Sequence, residues 1–132
     1  MRTISVLLAD SHEAYREGLA RAVRADARLE LVADVPDGRA ALEQILALGP
    51  DVALLEVRMP YLDGLEVWDI LSGLDLPVHT RVALISGEAN QTLAADARAL
   101  GVSAVLSKDA TRGELCEMLV QIADEPRPEP GA

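Results

Sequence analysis

Polar side chains stand at the carboxyl ends of four apolar runs: Asp10 with Ser11, Glu56, Ser86 and Lys108. Two carboxylates, a hydroxyl and one ammonium group brought together make an acidic pocket with a fixed cation. Such a pocket can serve a metal, a phosphoryl group or an internal ion pair. Lys108 is the pointed member. Of the 12 basic residues it is the only lysine, the rest being arginine. A GC-rich coding bias explains a general loss of lysine and phenylalanine, but not the survival of one lysine at this place.

Convergence of these residues requires parallel strands whose carboxyl ends share one edge, and the chain is patterned for that. Ile4 to Ala9, Leu29 to Val35, Val52 to Val57, Thr80 to Ser86 and Val102 to Leu106 read as five strands. The central run is apolar except for Glu56, which suits a strand covered on both faces. Five helical stripes alternate with them. Ser11 is the expected N-cap of the first, which carries Tyr15, Leu19, Ala22 and Val23 on one face. Pro36-Asp37-Gly38 leads into Leu42, Ile45 and Leu46, with a glycine stop at Gly49. Pro60 and Asp63-Gly64 force a loop before Leu65, Val67, Trp68, Ile70, Leu71 and Leu74. The Leu76-Pro77 turn precedes the fourth strand, and Leu93, Ala94, Ala97 and Leu100 mark a helix closed by Gly101. Thr111-x-x-Glu114 is a capping-box pattern ahead of Leu115, Met118, Leu119 and Ile122. Such alternation implies right-handed crossovers and an open, doubly wound sheet.

Bulk properties bound the function. The 132 residues fit one domain, able to bury about two-thirds of its unfolded surface. Half the residues are apolar, and with only Tyr15, Tyr61 and Trp68 as aromatics the core is built from Leu, Val, Ile and Ala. A net charge of −10 excludes a direct grip on nucleic acid or an anionic membrane. The single Cys116 cannot form an internal disulfide, and the first residues show no signal-peptide layout, so a cytoplasmic setting is expected. No apolar run is long enough to span a bilayer. The stripe around Cys116 is explained as core, although a homodimer seam there is an alternative. The expected organisation is a domain over residues 1–123, with 124–132 a Pro-rich tail or the start of a linker.

The motifs, taken in order, resemble the receiver domain of bacterial two-component response regulators from Ile4 to Ile122. They are Leu-Leu-Ala-Asp10-Ser-His12 with Arg16-Glu-Gly18-Leu, Pro50-Asp51 through Glu56 to Met59-Pro60 with Asp63-Gly64, Leu84-Ile-Ser86-Gly87, and Leu106-Ser-Lys108-Asp109. The Arg-Glu-Gly-Leu run and Lys-Asp are similar to the NarL/FixJ branch. The resemblance implies a flavodoxin-like five-stranded parallel sheet in the order 2-1-3-4-5, with helices on both faces. It implies a histidine kinase as phosphoryl donor to an aspartate at the position of Glu56, and Mg²⁺ held by acids at the positions of Asp10 and Ser11. Ser86 and Lys108 match the residues that bind phosphoryl oxygens, Val105 the place of an aromatic switch, and Arg58 a backbone carbonyl facing the metal. DNA contact is implied only through an output domain absent from this chain.

Three positions depart from the family pattern: Glu56 replaces the acceptor, Ser11 the second acid and Val105 the aromatic. Without a second acid, Asp10, Glu56 and Lys108 sum to −1, and the need for a divalent cation falls. Mg²⁺ is therefore expected to bind weakly or not at all, with no other cofactor. Glu56 also advances its carboxylate by about 1.5 Å, one carbon–carbon bond, within reach of Lys108. At ~4 Å and an effective dielectric of ~20 that attraction is on the order of 4 kcal/mol before desolvation. His12 and Glu13 read as exposed first-turn residues, with His12 a substitute ligand as the alternative. The leading expectation is a non-enzymatic, atypical receiver that controls transcription without the usual phosphorylation. The alternatives are a receiver-like small-molecule sensor, an ordinary phosphorylatable receiver, and a phosphohydrolase using Asp10.

Overall fold

The computed structural model describes residues 2–75, 78–88 and 91–125. The strands are β1 (Ile4–Ala9), β2 (Leu29–Val35), β3 (Val52–Glu56), β4 (Arg81–Ser86) and β5 (Ala104–Ser107). They form one parallel sheet in the order β2-β1-β3-β4-β5, the flavodoxin-like arrangement expected. The helices are α1 (Glu13–Ala25), α2 (Gly38–Leu48), α3 (Gly64–Gly73), α4 (Gln91–Ala99) and α5 (Arg112–Asp124).

The period of two in a strand divides the core. Val6 and Leu8 of β1, Val52 and Leu54 of β3, and Ala83 and Ile85 of β4 pack with Leu19 and Val23 of α1 and Leu115 and Leu119 of α5. Their neighbours Leu7, Ala9, Ala53, Leu55, Val82 and Leu84 pack on the other face with Ile45 of α2, Val67 and Leu71 of α3 and Ala97 of α4. All five residues of β3 are buried, which is why its run reads as unbroken. At the amino end, Asp51 accepts from the Ser5 backbone N–H (2.9 Å) and hydroxyl (3.0 Å) and pairs with Arg2 at 2.6 Å. These bonds fix β1 against β3 and so fix Asp10 against Glu56.

The helix starts follow the caps. Asp37 accepts from Ala40 N–H, and Asp63 with Glu66 and Thr111 with Glu114 form reciprocal capping boxes. Three expectations are corrected. Ser11 does not cap α1. The cap is His12, without a side-chain bond, because the Ser11 hydroxyl is used by Glu56. Leu100 is 61 % exposed rather than core, since α4 stops at Ala99 and the chain turns at Gly101 with φ +100°. Thr80 is buried ahead of β4 and donates its hydroxyl to the Pro50 carbonyl at 2.6 Å. The stripe of α5 is core, as expected, with Cys116 only 4 % exposed. The Leu76-Pro77 turn and the tail beyond residue 125 lie outside the described residues.

Candidate functional site

Strand parity brings the site together. Continuing β1 through Val6 and Leu8 leads to Asp10, β3 through Val52 and Leu54 leads to Glu56, and β5 through Leu106 leads to Lys108. All three side chains therefore project on the α1/α5 side of the sheet edge. Ser86 continues Val82 and Leu84, which face the other way. The loop between β3 and α3 is held close under Glu56. A Cβ added at Gly64 would lie 2.7 Å from the Glu56 carbonyl oxygen and 2.8 Å from Leu84 Cδ2.

Glu56 and Asp10 are 5 % and 4 % exposed, and neither is left uncompensated. Oε1 of Glu56 accepts from the Ser11 backbone N–H at 3.0 Å and the Ser11 hydroxyl at 2.7 Å. Oε2 accepts from Lys108 Nζ at 2.7 Å and lies 2.9 Å from His12 Nδ1. Asp10 Oδ2 pairs with the same ammonium at 2.7 Å, and Asp10 Oδ1 accepts from His12 N–H at 2.8 Å. Burial pushes the Glu56 carboxyl up, but the bonds from Lys108 and Ser11 outweigh it and hold it down at about 2. Burial pushes Lys108 down, and its two carboxylate partners more than reverse this, so its pKa is raised. The ammonium also sits 4.6 Å from the centre of the Tyr15 ring, a cation–π contact.

The ion pair expected between Lys108 and Glu56 is present, and Asp10 shares it. Ser11 belongs to the site as a donor to Glu56. His12 was read as an exposed first-turn residue. Its side chain is indeed 70 % exposed, but its ring reaches Glu56 and lies 3.3 Å from Asp10 Oδ1. The signal for this was the Asp10-x-His12 spacing, since an Asx turn from Asp10 to His12 N–H folds the chain back over the pocket. Ser86 does not join the cluster. Its hydroxyl accepts from Glu88 N–H at 3.0 Å, and it lines a cleft of about 570 Å³ beside Glu56, His12, Tyr15 and Lys108. Arg58 extends into solvent, 3.9 Å from Glu88, and Val105 packs on the α2/α3/α4 face of the core.

Residues 6–120 match the family described as response regulator receiver domain. The chain belongs to this family. Among relatives of this receiver domain, the "Probable transcriptional regulatory protein NarL" of Mycobacterium tuberculosis is 38 % identical over 120 residues, covering 91 % of this chain and 55 % of that protein. The solved signal receiver domain of NarL from the same organism superposes with a TM-score of 0.88 at 35 % identity, covering 96 % of this chain and all (100 %) of that one. Protein-glutamate methylesterase/protein-glutamine glutaminase 2 of Anaeromyxobacter dehalogenans is 38 % identical over 119 residues, 88 % of this chain and 33 % of that protein. The receiver domain thus spans about half of the first relative and a third of the last. Among the described residues, no helix is long and apolar enough to cross a membrane.

Proposed function

We propose that this chain is the receiver part of a transcription regulator and that it works without the usual transfer of a phosphoryl group to the residue at position 56. The observation that carries this reading is the occupancy of Glu56. A carboxylate offers about four lone-pair sites, and Glu56 has four partners, two on each oxygen. An acceptor of phosphoryl groups must present a free oxygen to phosphorus. Freeing one here means withdrawing Lys108 from two buried carboxylates, and breaking a buried pair costs about 3–5 kcal/mol.

The donor set does not fit Mg²⁺. That ion demands near-octahedral oxygen coordination. Both carboxylates are engaged by an ammonium, the Ser11 hydroxyl is turned to Glu56, and the remaining donor is the His12 nitrogen. Glu56 in place of an aspartate acceptor supplies in the resting chain the anionic partner for Lys108.

Control of transcription is supported by the NarL relative, matched in both sequence and structure. A net charge of −10 argues against DNA contact by this chain itself, and the reading assigns that contact to a further domain. The test is incubation with acetyl phosphate and Mg²⁺ followed by intact-mass measurement. No added phosphoryl mass is expected. Stoichiometric modification mapped to Glu56 would end this reading.

A further inference from the structure

We propose that the cleft of about 570 Å³ at the sheet edge, lined by His12, Tyr15, Ser86 and Gly87 among others, binds an uncharged, flat ring compound that carries a carbonyl oxygen. The proposal rests on the reading above and names an input for a receiver that takes no phosphoryl group.

The volume lies within the roughly 300–1,000 Å³ of small-molecule sites. Two walls flank the end of β3, because β1 and β4 are its neighbours in the sheet. The turn and helix start after β1 supply His12, Ala14 and Tyr15, and the end of β4 supplies Ser86 and Gly87. Ala14, Gly87 and the Tyr15 ring make much of this surface apolar. The His12 side chain, 70 % exposed, adds an imidazole face on which a flat ring can stack. Gly87 has nothing within 4 Å of an added Cβ, and its φ is not positive. Neither packing nor backbone conformation therefore calls for glycine here. What the missing side chain does is keep the cleft open.

Charge decides the class of ligand. At the floor, Lys108 is paired with Asp10 and Glu56 at 2.7 Å each, and Glu56 has its four partners. A charged group brought there would lose its water and meet no free counter-charge. At the rim, Arg58 lies 3.9 Å from Glu88 with the two side chains 87 % and 83 % exposed, so a charge of either sign would gain only a screened contact. The walls do offer a hydrogen. The Ser86 hydroxyl accepts from Glu88 N–H, and among the described residues no acceptor takes its own hydrogen. A carbonyl oxygen on the ligand supplies that acceptor. A ring held this way spans from the start of α1 to the segment leading towards α4, a helix that buries Ala97 alone. Binding thus ties the entry of a weakly anchored helix to a well-anchored one.

Titration of the whole chain with chromone, coumarin and 4-quinolone, followed by ¹H–¹⁵N NMR, tests this, with chromone-2-carboxylate as the charged comparison. Saturable shifts are expected at amides of residues 12–15 and 86–88 with at least one of the uncharged compounds. The charged analogue should bind about tenfold more weakly or worse. Gly87→Leu fills the cleft from a position with room for a side chain, and should abolish binding while keeping the wild-type urea midpoint. Ala14→Leu, on the other wall, makes the same test should Gly87→Leu fail to fold. Ser86→Ala should weaken binding by about fivefold, the worth of one neutral hydrogen bond. Amide exchange in α4 should slow in the complex. No saturable shift with any of the uncharged compounds, binding that survives in a folded cleft-filling variant, or equal affinity for the charged analogue overturns the proposal. Absence of binding together with absence of phosphoryl uptake removes the ligand site and leaves the unphosphorylated receiver standing. Phosphoryl uptake at Glu56 with ring binding intact does the reverse.

Discussion

Lys108 neutralises two buried carboxylates at once, so its loss does more than delete one contact. In Lys108→Met, Glu56 is left charged beside Asp10, and both burial and the like charge then favour its protonated form. The wild-type sign is opposite. Glu56 is held at about 2 in the folded chain against an ordinary 4.5, so its stabilisation is complete above pH 4.5 and is lost as pH falls towards 2. At about 1.4 kcal/mol per pKa unit that amounts to on the order of 3 kcal/mol. Lys108→Met should therefore be most destabilised at neutral pH, by about 3 kcal/mol, with the deficit shrinking below pH 4.5 as the wild type loses the same interaction. Adding Glu56→Gln should recover most of the loss. Urea midpoints of the wild type, both single variants and the double variant at neutral and acidic pH measure the coupling, and simple additivity would mean that the pair contributes nothing. The pair was legible in the sequence, because a lone lysine and a lengthened acid stand at the carboxyl ends of two parallel strands, β5 and β3, and the longer side chain of Glu56 gives it the reach to meet Lys108 across the end of β4. His12 was not, because a helical reading of the first turn gives its ring no reason to fold back. Ser86 lines the cleft beside Glu56 and Lys108, as its strand end suggested, while the alternation through Val82 and Leu84 keeps its hydroxyl out of the ion-pair cluster.

At the scale of elements, the loop between β3 and α3 is what holds Glu56 at the sheet edge, and it depends on Gly64. An added methyl there meets a backbone carbonyl and a buried leucine, neither of which can swing away. Gly64→Ala should lower stability by about 1–3 kcal/mol, the usual cost of overpacking. Gly73, the last residue of the same helix, has nothing within 4 Å of an added Cβ, and Gly73→Ala should raise stability by about 0.4–1 kcal/mol through a less flexible unfolded chain. Denaturant midpoints of the two variants should move in opposite directions, and a shared direction would mean that the contact at Gly64 is relieved by loop movement. The start of α5 was readable because Thr111 has its capping partner three residues on, whereas Asp63 read only as a loop former although Glu66 completes the same kind of box with it. The end of α4 was less readable. The apolar spacing runs on to Leu100, but Gly101 at φ +100° takes the chain out of the helix, and the Leu100 carbonyl accepts from Trp68 Nε1 at 2.6 Å instead.

For the molecule as a whole, the five helices are anchored unequally, and the difference sets where it opens first. On one face α1 buries Leu19, Ala20 and Val23, and α5 buries Leu115, Cys116, Leu119 and Ile122. On the other, α4 buries Ala97 alone. Alternating strands and helices disclosed the sheet and its layers, but not this imbalance, because Leu93, Ala94 and Ala97 look like an ordinary core stripe. The free energy of local opening follows the apolar surface that a segment removes from water. Amides of α4 should therefore exchange with solvent through openings well below the global unfolding free energy, while those of β1, β3 and β4 exchange only with global unfolding. The bond from Trp68 Nε1 to the Leu100 carbonyl ties the end of α4 to α3 across the edge of the sheet. Trp68→Phe removes that bond while keeping an aromatic ring against Gly101, so it should speed exchange in α4 by about tenfold, equivalent to about 1.4 kcal/mol and within the range for one hydrogen bond. Exchange in α1 and α5 should stay within the change in global stability. Hydrogen exchange followed by mass spectrometry separates these segments, and α4 amides as protected as those of α5 would show that the sheet holds all five helices in one cooperative unit.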